Sequence, residues 1–156
     1  MTKTINLILF AFIAILMTSC SWAVNLVIAN NSNEIIFVRY IIPPGSDENQ
    51  FFENPKTYNY DNKLLKLYKL DKNKRPKDIP TDSRIIPEMK ELEVRIAPGQ
   101  AVHVGVYYSF QPREEIISKY NLKILTGKDS ILTPTMVNSM FEHWGNIKTD
   151  LLEVKQ

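Results

Sequence analysis

Residues 91–109 read ELEVRIAPGQAVHVGVYYS, and the reading of this stretch decides the fold class. Leu92, Val94 and Ile96 alternate with Glu91, Glu93 and Arg95, and after Ala97-Pro98-Gly99-Gln100 the residues Val102, Val104, Val106 and Tyr108 repeat the alternation. A period of two marks a half-buried strand, because successive side chains of an extended chain point to opposite faces. With Pro-Gly supplying the turn, the stretch predicts a hairpin that has one wet and one buried face. His103 then falls on the outward face.

The same pattern extends in both directions. Val24 to Ala29 is a strand closed by Asn30-Asn31-Ser32-Asn33, and Glu34 to Ile42 (EIIFVRYII) is a second one ended by Pro43-Pro44-Gly45; the two predict a hairpin. Ser46 to Asn62 shows no period and reads as a long loop with an aromatic tip of Phe51, Phe52, Tyr58 and Tyr60. Lys63 to Leu70 (KLLKLYKL) reads as a strand, with a helix as the alternative, and Asp71 to Pro87 as a surface excursion. Further on, Gln111 to Lys119 suits a short helical turn, while Tyr120 to Thr126 and Ile147 to Val154 suit strands.

One segment has the helical period. Met136, Val137, Met140, Phe141 and Trp144 recur at that spacing, with Thr133 at the N-cap, Pro134 at the first helical position and Gly145 past the end. It predicts a helix of about three turns over residues 134–144, its apolar stripe facing the core rather than a docking partner. Six or seven strands and one helix predict a mostly β chain, a β-sandwich of immunoglobulin-like or transthyretin-like kind.

The chain's start has a different grammar. Lys3 precedes the apolar run Leu7 to Met17 (LILFAFIAILM), then come Thr18, Ser19 and Cys20, the single cysteine. A positive start, an apolar run of about 7 to 15 residues and a small-residue cleavage site define an export signal. The run is short of the roughly 20 apolar residues that span a bilayer. Met17-Thr18-Ser19-Cys20 resembles the lipobox of bacterial lipoproteins, which implies a signal peptide at 1–19, lipid attachment at Cys20 and a single domain at 20–156. Ser21 in place of Asp resembles the signal for passage to the outer membrane. Ordinary cleavage after Ala23, or a retained anchor over Leu7 to Ala29, are the alternatives.

Chemistry is harder to find. Beyond the leader 18 basic side chains face 17 acidic ones, so no global charge draws the chain to nucleic acid. His103 and His143 are the two histidines, and neither stands at a metal-ligand spacing from a partner. Glu114 and Glu115 are adjacent and therefore diverge, and no nucleophile elbow or phosphate-binding loop is present. These observations predict a protein that is not an enzyme and uses no cofactor and no metal. Two features suit binding: the aromatic pair Tyr58 and Tyr60, and the basic cluster Lys72, Lys74, Arg75 and Lys77.

Leu64 to Leu70, Ile96-Ala97-Pro98-Gly99-Gln100 and Gly105-Val106-Tyr107-Tyr108 together resemble the small outer-membrane lipoproteins of type VI secretion, the TssJ class. The resemblance implies a lipidated transthyretin-like sandwich that docks onto the periplasmic part of an inner-membrane protein. Gln111 departs from it, standing where that family has an arginine. The resulting expectation is a lipid-anchored cell-envelope protein, held on the outer membrane through Cys20, that acts by binding another envelope protein. A glycan or small-ligand binder is the alternative, and a small hydrolase whose carboxylates converge only on folding is the third reading.

Overall fold

A computed structural model describes residues 22–42, 51–60, 77–127, 130–144 and 148–155. The alternating segments form two stacked sheets, and the chain is a β-sandwich. The strands are β1 (Ala23–Asn30), β2 (Ile36–Ile41), β3 (Phe51–Asn59), β4 (Asp78–Ile79), β5 (Asp82–Ile86), β6 (Glu91–Ile96), β7 (Gln100–Tyr108), β8 (Lys123–Leu125), β9 (Ile131–Leu132), β10 (Glu142–Trp144) and β11 (Thr149–Val154). Two short helices, α1 (Arg113–Lys119) and α2 (Pro134–Met140), complete the described part. One sheet has the order β10-β11-β1-β7-β3-β4 and the other β5-β6-β2-β8-β9. β1 and β11 run parallel; the other described pairs are antiparallel.

One core fills the space between the sheets. Leu26, Ile28, Val102, Val104 and Leu152 from the larger sheet meet Ile36, Val38, Tyr40, Val94, Ile96 and Ile124 from the smaller one. Each such side chain, when fully buried, contributes about 1.5–3 kcal/mol of hydrophobic stabilisation. Ile116 and Ile117 of α1 and Val137 of α2 add to the same core. Tyr40 is wholly buried because its ring packs on Phe51 and its hydroxyl donates to the Phe52 carbonyl at 2.7 Å.

The two expected hairpins do not form. β1 and β2 lie in different sheets, and so do β6 and β7. Their turns are corners between layers. Asn30 makes the first corner: its buried Nδ2 donates to the carbonyls of Glu34 and Ile96, and its Oδ1 accepts from the Ser32 backbone and hydroxyl. Gly99, at φ +74°, makes the second, and its N–H donates to the Asn30 carbonyl. Period-two alternation is the same for a hairpin and for an arch between facing sheets, so the pattern alone does not separate them.

Other expectations change on the same ground. Residues 51–59 are strand β3 rather than a loop tip, with Phe51 in the core against Tyr40 and Tyr120. Part of the Asp71 to Pro87 excursion pairs as β4 and β5. The helix expected over 134–144 ends at Met140, since Phe141 is extended and Glu142–Trp144 joins the sheet edge beside β11. Thr133 sits at the N-cap without a side-chain cap bond. Of the stripe, Val137 and Phe141 are core, Met136 is exposed, and Trp144 lies on the far face of the larger sheet. The strand expected at Lys63 to Leu70 lies outside the described residues.

β7 carries a bulge. Leu26 pairs with Gly105 but Val27 pairs with His103, so Val104 is skipped and the alternation reverses. Tyr107, expected outward, therefore turns into the core, while Val106 and Tyr108 turn out. Among the described residues no helix is long and apolar enough to cross a membrane.

Candidate functional site

Asp150 shares the inward side of β11 with Leu152 and Val154, so strand alternation drives a carboxylate into the end of the core. It is fully buried, and three elements answer its charge. From β7, Tyr107 donates its hydroxyl to Oδ2 at 2.7 Å, which the bulge makes possible. From the first residue of α1, Arg113 donates to the same oxygen at 2.6 Å. His143, directly across the ladder on β10, places Nδ1 2.5 Å from Oδ1. Directly opposed cross-strand side chains lie close enough for such a contact.

Arg113 is held at every nitrogen. Its Nε donates to Asn138 Oδ1 at 2.9 Å and a terminal nitrogen to the Asn138 carbonyl at 3.1 Å, while the guanidinium lies 5.3 Å from the Phe141 ring centre. It thereby ties α1 to the end of α2 and both to β11. Burial, followed by the hydrogen bond to Asp150 and that carboxylate's charge, raises the Tyr107 pKa well above the usual phenol range, and the Arg113 charge offsets only part of this. The phenol stays a neutral donor. Chemically, the centre supplies an imidazole oriented by a carboxylate and half open to solvent. Its members are Tyr, Arg, His, Asn and Asp, without a serine, threonine or cysteine nucleophile among them.

A second charged centre lies on the outer face of the smaller sheet. Glu91 and Glu93, expected on a wet face, are buried there. Glu93 accepts from Arg39 of β2 and Arg84 of β5, at 2.5 and 2.7 Å. Glu91 takes Lys123 at 2.8 Å and the Asn121 amide at 3.2 Å. The residues are cross-strand neighbours: Arg39 pairs with Glu93, and Arg84 pairs with the same residue from the other side. Their long stems cover the carboxylates while the cationic ends reach water. Beside them Phe37, Asp82, Ser83, Arg84, Glu93 and Arg95 line a trough of about 250 Å³.

The residues singled out from sequence fare differently. Tyr58 and Tyr60 are half-buried and pack with Trp144 over Val27, Ala29, Ala101 and Leu151 on the outer face of the larger sheet. The Tyr60 hydroxyl donates to Glu153. They form a cover on a sheet, not the tip of a loop. Lys77 is exposed and precedes β4, whose Asp78 pairs with Tyr58. Cys20, Lys72, Lys74 and Arg75 lie outside the described residues. His103 does face outward, edge-on to the Phe52 ring at 4.9 Å, yet its Nε2 is buried without a partner. Burial is the main reason its pKa falls to about 4, with Lys56 adding to the fall and the Gly105 backbone and Asp78 opposing it. His143 is on a strand, not a helix.

Sequence reasoning missed Asp150, Arg113 and Tyr107. The sequence held no signal for the first, because the alternation of residues 147–154 puts two apolar residues on each side, Ile147 and Leu151 against Leu152 and Val154. Among the described residues no group of three or more His, Cys, Asp or Glu is placed to hold a metal ion. No family model, no curated protein and no solved structure matches the chain.

Proposed function

We propose that this chain is a lipid-anchored protein of the bacterial cell envelope, held on the outer membrane through Cys20, that works by binding another envelope protein and carries out no reaction of its own. The observation that carries the reading is the apolar run Leu7 to Met17 ending in Met17-Thr18-Ser19-Cys20, with the first strand starting only three residues later at Ala23. Acyl chains on Cys20 would hold the domain at the surface, since each buried CH₂ contributes about 0.8 kcal/mol and two or more chains anchor stably. Anchoring raises the effective concentration of any partner in the same envelope.

The partner surface we favour is the trough on the smaller sheet. Glu93 fixes Arg39 and Arg84 in place, and Asp82 lies 3.4 Å from Arg95, so the guanidinium groups are ordered before any partner arrives. Ordered guanidinium groups suit a carboxylate-bearing protein. The resemblance to TssJ-class lipoproteins adds a secretion apparatus as the setting. A glycan or small-ligand binder draws on the convergence of Tyr58, Tyr60 and Trp144, but those rings are engaged in covering Val27, Ala29 and Leu151.

The test is the intact mass of the protein taken from membranes, beside a Cys20→Ala version, with cross-linking of the wild type and an Arg84→Glu/Arg95→Glu version in cells. We expect Cys20 to Gln156 plus acyl chains, release of the Cys20→Ala chain, and at least about a tenfold loss of cross-linked partner in the charge-reversed chain. An unlipidated chain starting at Val24 would sink the anchor. A partner captured equally by both arginine versions would sink the proposed surface.

A further inference from the structure

Among the described residues, exposed aromatic side chains gather at the end of the sandwich from which β1 emerges and not at the opposite end. Among the described residues the exposed large aromatic side chains are Trp22, Tyr108 and Phe110, all at this end. They form one patch. The Ser109 N–H donates to the Trp22 carbonyl at 3.0 Å, and the Trp22 N–H reaches the Ser109 hydroxyl at 3.4 Å. Tyr108 and Phe110 stack with ring centres 5.6 Å apart and planes 10° from parallel, in a turn closed by the Gln111 N–H on the Tyr108 carbonyl. Lys148 sets its ammonium 5.6 Å from the centre of the Trp22 ring. Phe110 is the most exposed of the three, at 69%. By strand register the β5–β6 turn, with exposed Met89, points the same way.

We infer that this end of the sandwich is a lipid-contacting face, on which Trp22, Tyr108 and Phe110 sit at the headgroup level of the bilayer with Lys148 meeting lipid phosphates. The inference rests on the proposed anchoring of Cys20. Trp22 is two residues from Cys20, and two residues reach at most about 7 Å. Because the Trp22 backbone is tied to Ser109, the fold itself begins within that distance of the acyl chains. Ser21 alone separates Cys20 from Trp22, a tether too short for the domain to stand away from the surface. Aromatic rings with an apolar body and a polar tip concentrate at membrane–water interfaces, and a flanking lysine adds attraction to anionic lipids. The opposite end carries Asn31, Ser32, Asn33 and Ile131, and no exposed aromatic among the described residues.

The experiment places a single tryptophan reporter in the full chain purified from membranes, with Trp22→Phe and Trp144→Phe as background. One version carries Phe110→Trp and another Ile131→Trp at the opposite end. Each is checked by mass for acyl chains, then reconstituted in vesicles of phosphatidylcholine and phosphatidylglycerol with or without bromine high on the acyl chains. Seating within roughly 5–10 Å of the headgroup boundary predicts that bromine removes about half of the Phe110→Trp emission and leaves the Ile131→Trp emission unchanged. Acylated protein in which both reporters are quenched equally, or neither is, overturns the face and leaves the anchor standing. A mass without acyl chains overturns the anchor, and the face with it.

Discussion

Asp150 and Glu93 are both carboxylates with almost no exposed surface, and both are met by arginine, yet they hold different things together. The partners of Asp150 come from β7, α1 and β10, so its charge can be satisfied only once those strand ends and α1 are in place. The partners of Glu93 are its neighbours across one sheet, and they cover it with their own stems. One pairing specifies tertiary assembly and the other shapes a surface. The partners' exposure decides the difference, because the arginines on Glu93 keep contact with water at their charged ends whereas Asp150 lies at the end of the core, where a desolvated charge depends on its partners.

The largest expected effect comes from breaking the deeper centre. Asp150→Ala leaves the half-buried Arg113 charge without its counter-ion and the Tyr107 hydroxyl without its acceptor, and is expected to cost about 3–5 kcal/mol. Urea unfolding measures it, and a loss under about 1 kcal/mol would show that water reaches the site and that the contrast with Glu93 is false. Next in size is the imidazole whose Nε2 is buried without a partner. His103 binds no proton in the folded chain until pH falls to about 4, whereas the unfolded chain takes one up near 6.5. The unfolded state therefore holds more protons between these values, and stability drops as pH falls through that window, by on the order of 2–3 kcal/mol. His103→Leu should flatten this part of the stability profile; an unchanged slope would exclude His103 as its cause.

The smallest effects sharpen the other side of the comparison. Glu93→Gln is expected to cost about 1–2 kcal/mol, since a buried acceptor loses its charge but keeps its shape. Arg84→Ala should fall within about 0.5 kcal/mol, because that side chain is 72% exposed and Arg39 still meets the carboxylate. Denaturation of the pair measures both. An Arg84→Ala loss as large as that of Glu93→Gln would make the surface pairing as deep as the Asp150 one.

The alternation of residues 91–109 was enough to read β6 and β7 as strands, but not to say that they face each other across the core. The same limit hid Asp150. Both sides of the β11 alternation carry apolar residues, so its inward side is not legible, and the meeting with Arg113 and His143 depends on chain 37 and 7 residues away. The β7 bulge left no mark that alternation could detect, and it alone turns Tyr107 inward. The aromatic tip expected over Phe51 to Tyr60 failed because Phe51 fits the core beside Tyr40, and β3 follows from that burial.

The amino-acid sequence by itself determined which segments are extended, which class of fold they build, and the lipobox-like leader from which anchoring is proposed, because each is written in local periodicity and composition. Tertiary structure decided which sheet each strand joins, where the helix near residue 140 gives way to β10, and which charges are buried together. These are set by pairings between residues far apart in the chain, whose free energy exists only when both partners have left water together.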